Sequence, residues 1–280
     1  MGTYSSPGSL GFDPTVPSEG RITDVFLGGK DNFAPDREIA ARALEIAPEL
    51  PVLARESRLA QGRMLQFLAD AGIRQVIDLD AGLPIEGHLE DVSRIMPPGT
   101  RAVYVERDPV AVVHTRAIVK DPERTAVIHV DVTEPRQVFE NSEVRRTVDL
   151  DEPVAVLLLN ILHTIPDDDV ATRIVNGVCD TIAPGSYVAV MHAVSDSCPE
   201  VTAKLAALYQ EGTIKGPGWR DNLRTKAEVE ALVAGLDLVA PGVVYLPAWR
   251  PEPDGSVRVT PESVWSVAAL GRKPGGAPPT

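Results

Sequence analysis

The stretch RQVIDLDAGLP, residues 74–84, joins a short apolar run to two acids and then to a turn. Val76, Ile77 and Leu79 follow one another with little polar alternation, which is how a strand buried on both faces reads. Gly82 comes just past the end of that run, and a residue without Cβ lets the backbone turn tightly and approach a ligand. Ligands of open α/β sheets bind outside the carboxyl ends of the strands, so residues 78–84 are expected at the centre of a pocket.

Four further strands are expected outward from this point: RAVYVE (101–106), TAVIHV (125–130), PVAVLLL (153–159) and SYVAVMH (186–192). Each is followed by helix-compatible sequence, the alternation expected of βαβ units around a parallel sheet. Asp167, Asp168 and Asp169 stand before VATRIVNGVCDTI, where carboxylates suit a helix N-terminus, and Ala183-Pro184-Gly185 stops that helix. Downstream come helices near 199–211 and 225–235, separated by the Gly-rich KGPGWRDN (215–222). The segments PGVVYLPAW (241–249) and SVWSVAALGR (263–272) then read as strands. Their short polar connection favours an antiparallel hairpin, which would bring the sheet to about seven strands. Helices over 35–47 and 51–71 precede the first strand and would cap one end of the sheet.

Composition sets outer bounds. The 280 residues carry 27 Lys and Arg against 40 Asp and Glu, a formal charge of −13, so the average surface field repels phosphate backbones and nucleic acid is not an expected partner. An apolar content of 44% suits one core, in a single domain over 21–272 that includes a helical lid over 21–71. Residues 1–20 and 273–280, rich in Gly and Pro, read as loosely held tails. No apolar run approaches the ~20 residues needed to span a bilayer, and residues 1–20 lack a signal-peptide pattern, so a cytoplasmic location away from membranes is expected. Cys179 and Cys198, and His88, His114 and His129, have no metal-ligand spacing. P-loop, nucleophile-elbow and Cys–His signatures are absent, which argues against hydrolase and phosphoryl-transfer chemistry.

Acids recur at successive strand ends. Glu106 closes the second strand 24 positions after Gly82, where a carboxylate accepts hydrogen bonds from both hydroxyls of a ribose. Asp131 follows the third strand, where it would take the exocyclic amine of adenine while the Val132 N–H meets a ring nitrogen. Together they outline an adenosine site. The Gly-x-Gly-x-x-Gly of a dinucleotide fold is replaced by Asp80-Ala81-Gly82-Leu83-Pro84-Ile85, which disfavours NAD.

The segments FLGGKDNFAPDREIA (26–40), VIDLDAGLP (76–84), VYVERDP (103–109), LLLNILHTIPDDD (157–169), APGSYVAVMHA (183–193) and PGVVYLPAWRP (241–251) carry a resemblance over 21–272. The chain resembles an actinobacterial family of S-adenosylmethionine-dependent methyltransferases. The resemblance implies a class I methyltransferase fold: a Rossmann-like α/β architecture, a mostly parallel seven-stranded sheet with an antiparallel last strand, and an N-terminal helical lid. It implies S-adenosylmethionine as cofactor, with Asp78 and Gly82 framing its methionine end, Glu106 its ribose, and Asp131 with Val132 its adenine. Arg21, Lys30, Asp31 and Asn32 would close over the cofactor or substrate, with Arg21 or Arg58 pairing the methionine carboxylate. Helix capping is the alternative for residues 30–32.

The expected reaction is methyl transfer to oxygen or nitrogen of a small molecule, which requires an aligned acceptor and sometimes a base. His163, after the fourth strand, is the first candidate base and His192 the second, each with a hydrogen-bonded structural role as the alternative. Asn160 would reach the cofactor or acceptor, or close a strand-end hydrogen bond. Trp219 and Trp249 would wall an apolar substrate, with core packing as the alternative and preferred for Tyr245. The family pattern is broken where Asp80 replaces glycine, Thr23 and Val25 replace tyrosines, Ser57 replaces asparagine and Ile85 replaces threonine. Asp80 would either bind the cofactor's ammonium or crowd it. Crowding leads to the alternative function: a fold with altered or lost cofactor binding that serves as a ligand-binding or regulatory protein, or runs a non-methylating reaction in the same cavity.

Overall fold

The computed structural model describes residues 13–83, 92, 94–211, 219–251 and 259–275. Pro84, Ile85 and His88 lie outside the described residues. Three helices come first: α1 (Glu19–Phe26), α2 (Ala34–Ile46) and α3 (Leu50–Asp70). The body then runs β1 (Gln75–Leu79), β2 (Arg101–Glu106), α4 (Pro109–Ile118), β3 (Thr125–His129), α5 (Pro135–Glu140), α6 (Ser142–Thr147) and β4 (Ala155–Leu159). A single 3-10 turn at Leu162–Thr164 leads to α7 (Asp168–Thr181), β5 (Tyr187–Ala193), α8 (Pro199–Tyr209) and α9 (Lys226–Leu232). Three strands follow: β6 (Asp237–Leu238), β7 (Val244–Tyr245) and β8 (Ser266–Arg272).

The strand order is β3-β2-β1-β4-β5-β8-β6, with β7 also on β8. β1 to β5 are parallel, and β8 enters antiparallel beside β5 in a seven-pair register from Tyr187↔Arg272 to Ala193↔Ser266. The chain leaves β1 toward β3 on one side and passes from β4 to β5 on the other. The carboxyl ends of β1 and β4 therefore flank a crevice, the point at which open sheets bind ligands.

Alternating side chains divide the core. Ile77, Leu79, Val188 and Val190 face α5, α6, α7 and α9, whereas Val76, Ala189 and Met191 face α3 and α4. A third cluster, with Ile22, Ala40, Ala43 and Leu205, joins α1, α2 and α8 beside Ala193 and Trp265. Asp167 caps α7 by accepting from the Val170 N–H at 3.0 Å, as its position in the sequence suggests.

Two expectations change. The strand expected over 241–249 contracts to Val244–Tyr245, and Leu246–Ala248 forms a 3-10 turn. Pro241 and Pro247 have no N–H to give a ladder, and Asp237–Leu238 supplies a short edge strand instead, making eight strands among the described residues. The other change is at the N-terminus, where order begins before residue 21. The Ser18 N–H donates to Asp36 at 2.9 Å, the Val16 carbonyl accepts from Arg21, and α1 starts at Glu19. No helix among the described residues is long and apolar enough to cross a membrane.

Candidate active site

A cavity of about 730 Å³ lies between α1, α3 and the carboxyl ends of β1, β2, β4 and β5. Arg21, Arg58, Asp78, Asp80, Gly82, Glu106, Asn160, His163 and Trp219 all line it. Three of these have positive φ: Asp80 at 68°, Gly82 at 75° and Asn160 at 64°. Asp80 and Asn160 hold a conformation that disfavours a Cβ, and local strain of this kind gathers at functional sites. Each is anchored by its backbone, Asp80 N–H to the Val105 carbonyl at 2.8 Å and Asn160 N–H to that of Met191 at 3.0 Å.

The floor of the cavity is acidic, and two of its acids are buried. Asp78 is 2% exposed, and burial raises its pKa to about 7 against the opposing charge of Arg58. Glu106 is 1% exposed, and its pKa rises well above the usual carboxylate value, first through burial and then through the charges of Asp80, Asp78 and Asp108. The Gly82 N–H bonds to the Glu106 carboxylate, yet its Oε1 has no hydrogen-bond partner. Asp80 takes two hydrogen bonds from Arg107, at 3.2 and 3.0 Å. The Arg107 guanidinium also donates to Thr164 Oγ1 at 3.2 Å and stands 3.7 Å from Glu19, joining β2, the loop after β1, the turn after β4 and α1. His163 lies on that turn, with its Nδ1 buried and without a partner. Burial, then the charges of Arg107 and Arg224, lower its pKa to about 4, so the ring is neutral at pH 7.

Residues 7–274 match the family model described as S-adenosyl methyltransferase. The chain belongs to that family. A crystal structure of a candidate methyltransferase from Thermobifida fusca YX is 36% identical, with 98% of this chain and 100% of that one covered and a TM-score of 0.83. A DUF574 family protein from Streptomyces avermitilis MA-4680 is 32% identical, with 92% and 98% covered and a TM-score of 0.84. The N-methyltransferase NodS from Bradyrhizobium japonicum WM9, crystallised with S-adenosyl-L-homocysteine, shares the fold at 12% identity and a TM-score of 0.50, over 80% of this chain and 88% of its own. No curated protein matches this chain. Its sheet, with an antiparallel strand inserted beside β5, is that of a class I methyltransferase, and S-adenosylmethionine is the family's cofactor.

Several residues expected at the site of this methyltransferase stand elsewhere or are already engaged. Arg21 touches the cavity, but its guanidinium is held by Asp36 at 2.9 Å, Asp108 at 2.7 Å and the Val16 carbonyl. Of the two arginines considered for the methionine carboxylate, Arg58 is the one whose charge acts on Asp78. Asn32 does not line the cavity: its amide donates to Asp24 at 2.7 Å, and Asp24 also takes the Asp31 N–H at 3.0 Å. Residues 30–32 do not cap α2 either, because Phe33 is its N-cap and Asp36 accepts the Phe33 N–H at 2.8 Å.

Asp131 is exposed and turns back on Thr133 at 2.9 and 2.8 Å, and Val132 is packed in the core, so neither lines the cavity. His192 is fully buried. Two-residue alternation along β5 turns it to the sheet face opposite Met191, where Nδ1–H donates to the Ala193 carbonyl and Nε2 accepts from Arg224 at 3.3 Å. Trp249 is also fully buried, edge-on to Phe67 with ring centroids 6.5 Å apart, and belongs to the core rather than to a substrate wall. Arg107 was the residue to add. It follows Glu106 directly, and a half-buried acid at position 80 among other acids calls for a nearby cation.

Proposed function

We propose that this chain transfers the methyl group of S-adenosylmethionine to an oxygen or nitrogen of a small molecule. The observation that carries the reading is the buried Glu106 carboxylate, one oxygen on the Gly82 N–H and the other without a partner, at the end of β2. An orphaned buried acceptor is costly, and a ribose hydroxyl satisfies it. Asp78 and the backbone around Gly82 would border the methionine portion, with Arg58 toward its carboxylate. Asn160, strained at the end of β4, would orient the reacting groups.

The bound cofactor supplies an electrophilic methyl on a positively charged sulfur. An acceptor aligned by these residues would take that methyl, with the carbon–sulfur electron pair left on sulfur. For a hydroxyl acceptor, neutral His163 takes the released proton. A pKa of about 4 makes the resulting imidazolium a strong enough acid to pass that proton on to water. The seat of the cavity beneath α1 and α3, and the acidic net charge, support a small-molecule acceptor over a nucleic acid. Two free thiols support a reducing, cytoplasmic setting.

Titration calorimetry with S-adenosylhomocysteine tests the reading. Wild-type protein should bind it, and Glu106→Gln should bind about tenfold or more weakly, the loss expected for a hydrogen bond to a charged group. Equal heats from both proteins would remove Glu106 from the site, and no heat from wild type would remove methyl transfer.

A further inference from the structure

Arg107 carries a strap of half-exposed ion pairs above the buried acids. Its guanidinium donates to Asp80 from Nε and Nη2, at 3.2 and 3.0 Å, and from Nη2 to Thr164 Oγ1 at 3.2 Å, and it meets the Glu19 carboxylate of α1 at 3.7 Å. The contacts therefore run from the loop after β1 and the turn after β4 across to α1, and all four residues line the cavity. Exposure falls with depth. The side chains of Glu19 and Arg107 are 41% and 38% exposed and that of Asp80 19%, whereas Asp78 and Glu106 are 2% and 1% exposed. The strap thus lies on the solvent side of the cavity, with the buried acids beneath it.

Its two ends are held unequally. Asp80 and Thr164 anchor the guanidinium by three hydrogen bonds, whereas 3.7 Å is too long for one, and Glu19 is joined to Arg107 by charge alone. A half-exposed pair of this kind is worth about a factor of two to five in an equilibrium and weakens with salt. The frame around it is firmer. The Arg21 guanidinium, 4% exposed, pairs with buried Asp36 at 2.9 Å and with Asp108 at 2.7 Å, and breaking a buried pair costs about a hundredfold or more. Ile22 and Phe26 hold α1 in the core cluster it shares with α2 and α8. At Gly20 the helix rests on the floor, where a Cβ would lie 3.6 Å from the Gly82 Cα. Opening is therefore cheapest at the Glu19–Arg107 contact, with α1 still seated.

We propose that Glu19 and Arg107 form the gate of the cavity: S-adenosyl ligands enter and leave as this one ion pair parts, while Asp80 keeps the guanidinium at the rim. The proposal rests on the reading of the cavity as the cofactor site. Glu19 needs no contact with the ligand for this role. Because the pair must part for passage in either direction, weakening it raises the entry and exit rates by the same factor and leaves the affinity unchanged. A residue that held the ligand directly would act mainly on exit.

Stopped-flow tryptophan fluorescence with S-adenosylhomocysteine tests the gate, since Trp219 and Trp265 line the cavity. The ligand's ammonium and carboxylate cancel in net charge, so salt acts on the strap rather than on long-range attraction. At pH 8 Glu19 is ionised, although partial burial lifts its pKa to about 7. Glu19→Gln should there raise the association and dissociation rates together, each about two- to fivefold, with an unchanged Kd. Raising salt from about 50 to about 500 mM should speed wild type toward the variant and leave the variant's rates in place. Faster dissociation alone would make Glu19 a ligand contact, and unchanged rates would deny the strap any gating role, so either overturns the gate. If S-adenosylhomocysteine does not bind wild type at all, the cofactor reading falls and acrylamide quenching of the same tryptophans in the free protein decides the gate. Quenching should rise in Glu19→Gln, and equal quenching would overturn it.

Discussion

Asp80 concentrates the chemistry of single residues. Its backbone sits at φ 68°, where an L-residue is disfavoured by about 1–2 kcal/mol, and its carboxylate is held by Arg107. A carboxylate has about four acceptor positions, and the two bonds from Arg107 leave room for a cationic ammonium group. Asp80→Gly is therefore expected to relax the backbone yet lower S-adenosylmethionine affinity about tenfold, as loss of a charge-assisted bond does. A tighter complex in calorimetry would instead mean that Asp80 obstructs the cofactor, and would favour a fold that has turned from methyl transfer. Asp78 gives a pH signature. Its folded pKa of about 7 lies above the unfolded value near 3.9, so below pH 4 both states are protonated, and between pH 4 and 7 the unfolded state gives up its proton first. The Asp78 contribution to stability is thus lost as pH rises through that window. Compared with wild type, Asp78→Asn should gain stability from pH 4 to 7 and run level above it. A constant difference in urea midpoints across this range would count against the buried, proton-holding Asp78.

Among the helices and strands, the GGKDNF segment shows how much a motif conceals about its own role. Asp24 of α1 gathers the Asp31 N–H and the Asn32 amide, and a Cβ on Gly29 would lie 1.8 Å from Asp24 Oδ1. The glycine leaves room for a carboxylate that ties the end of α1 to the start of α2. Gly29→Ala should destabilise the protein by about 1–3 kcal/mol, as overpacking does, read as a lower urea midpoint with an unchanged slope. A midpoint within error of wild type would show that this junction yields freely. Two acids at strand ends, Asp78 and Glu106, were legible because a sheet fixes which positions meet its carboxyl edge, whereas Asp131 turns back on Thr133 outside the cavity. Glu106 could be placed from spacing alone. Partners were not legible: nothing local to KDN names Asp24, and nothing in ITD names Asp36 as the ion-pair partner of Arg21. His192 could have been turned away from the cavity in advance, since it alternates with Met191 along β5. Trp249 could not, because the prolines that convert its strand into a turn reorient it only in three dimensions.

On the scale of the whole molecule, the cavity is roofed by one end of the chain and floored by the sheet. Arg21 bridges the two, with Asp36 on the roof and Asp108 at the floor. A ligand that fills the space should tighten both. At a hundred times its dissociation constant, S-adenosylhomocysteine should add about 2.7 kcal/mol of stability. Hydrogen exchange should slow in α1, in the first half of α3 and around Asp78 to Gly82, while the outer edge at β3 keeps its free-protein rate. Uniform slowing, or none at α1, would show that the helices do not close on the ligand. That β1 to β5 form a parallel set was readable from alternating buried runs and helices. The insertion of β8 beside β5 was not, since pairing across so long a sequence separation leaves no local mark.

That insertion has a consequence for synthesis. A ribosome delivers β6 and β7 before the strand on which both must dock, so a nascent chain that already carries every parallel strand still has an open edge along β5. Ser266 arrives on the strand that closes this edge. The acids proposed to hold the cofactor, Asp78 and Glu106, are made early, and the part of the cavity wall carried by Trp265 and Ser266 is made last. A chain cut short before β8 would lack that wall even though both acids are already present.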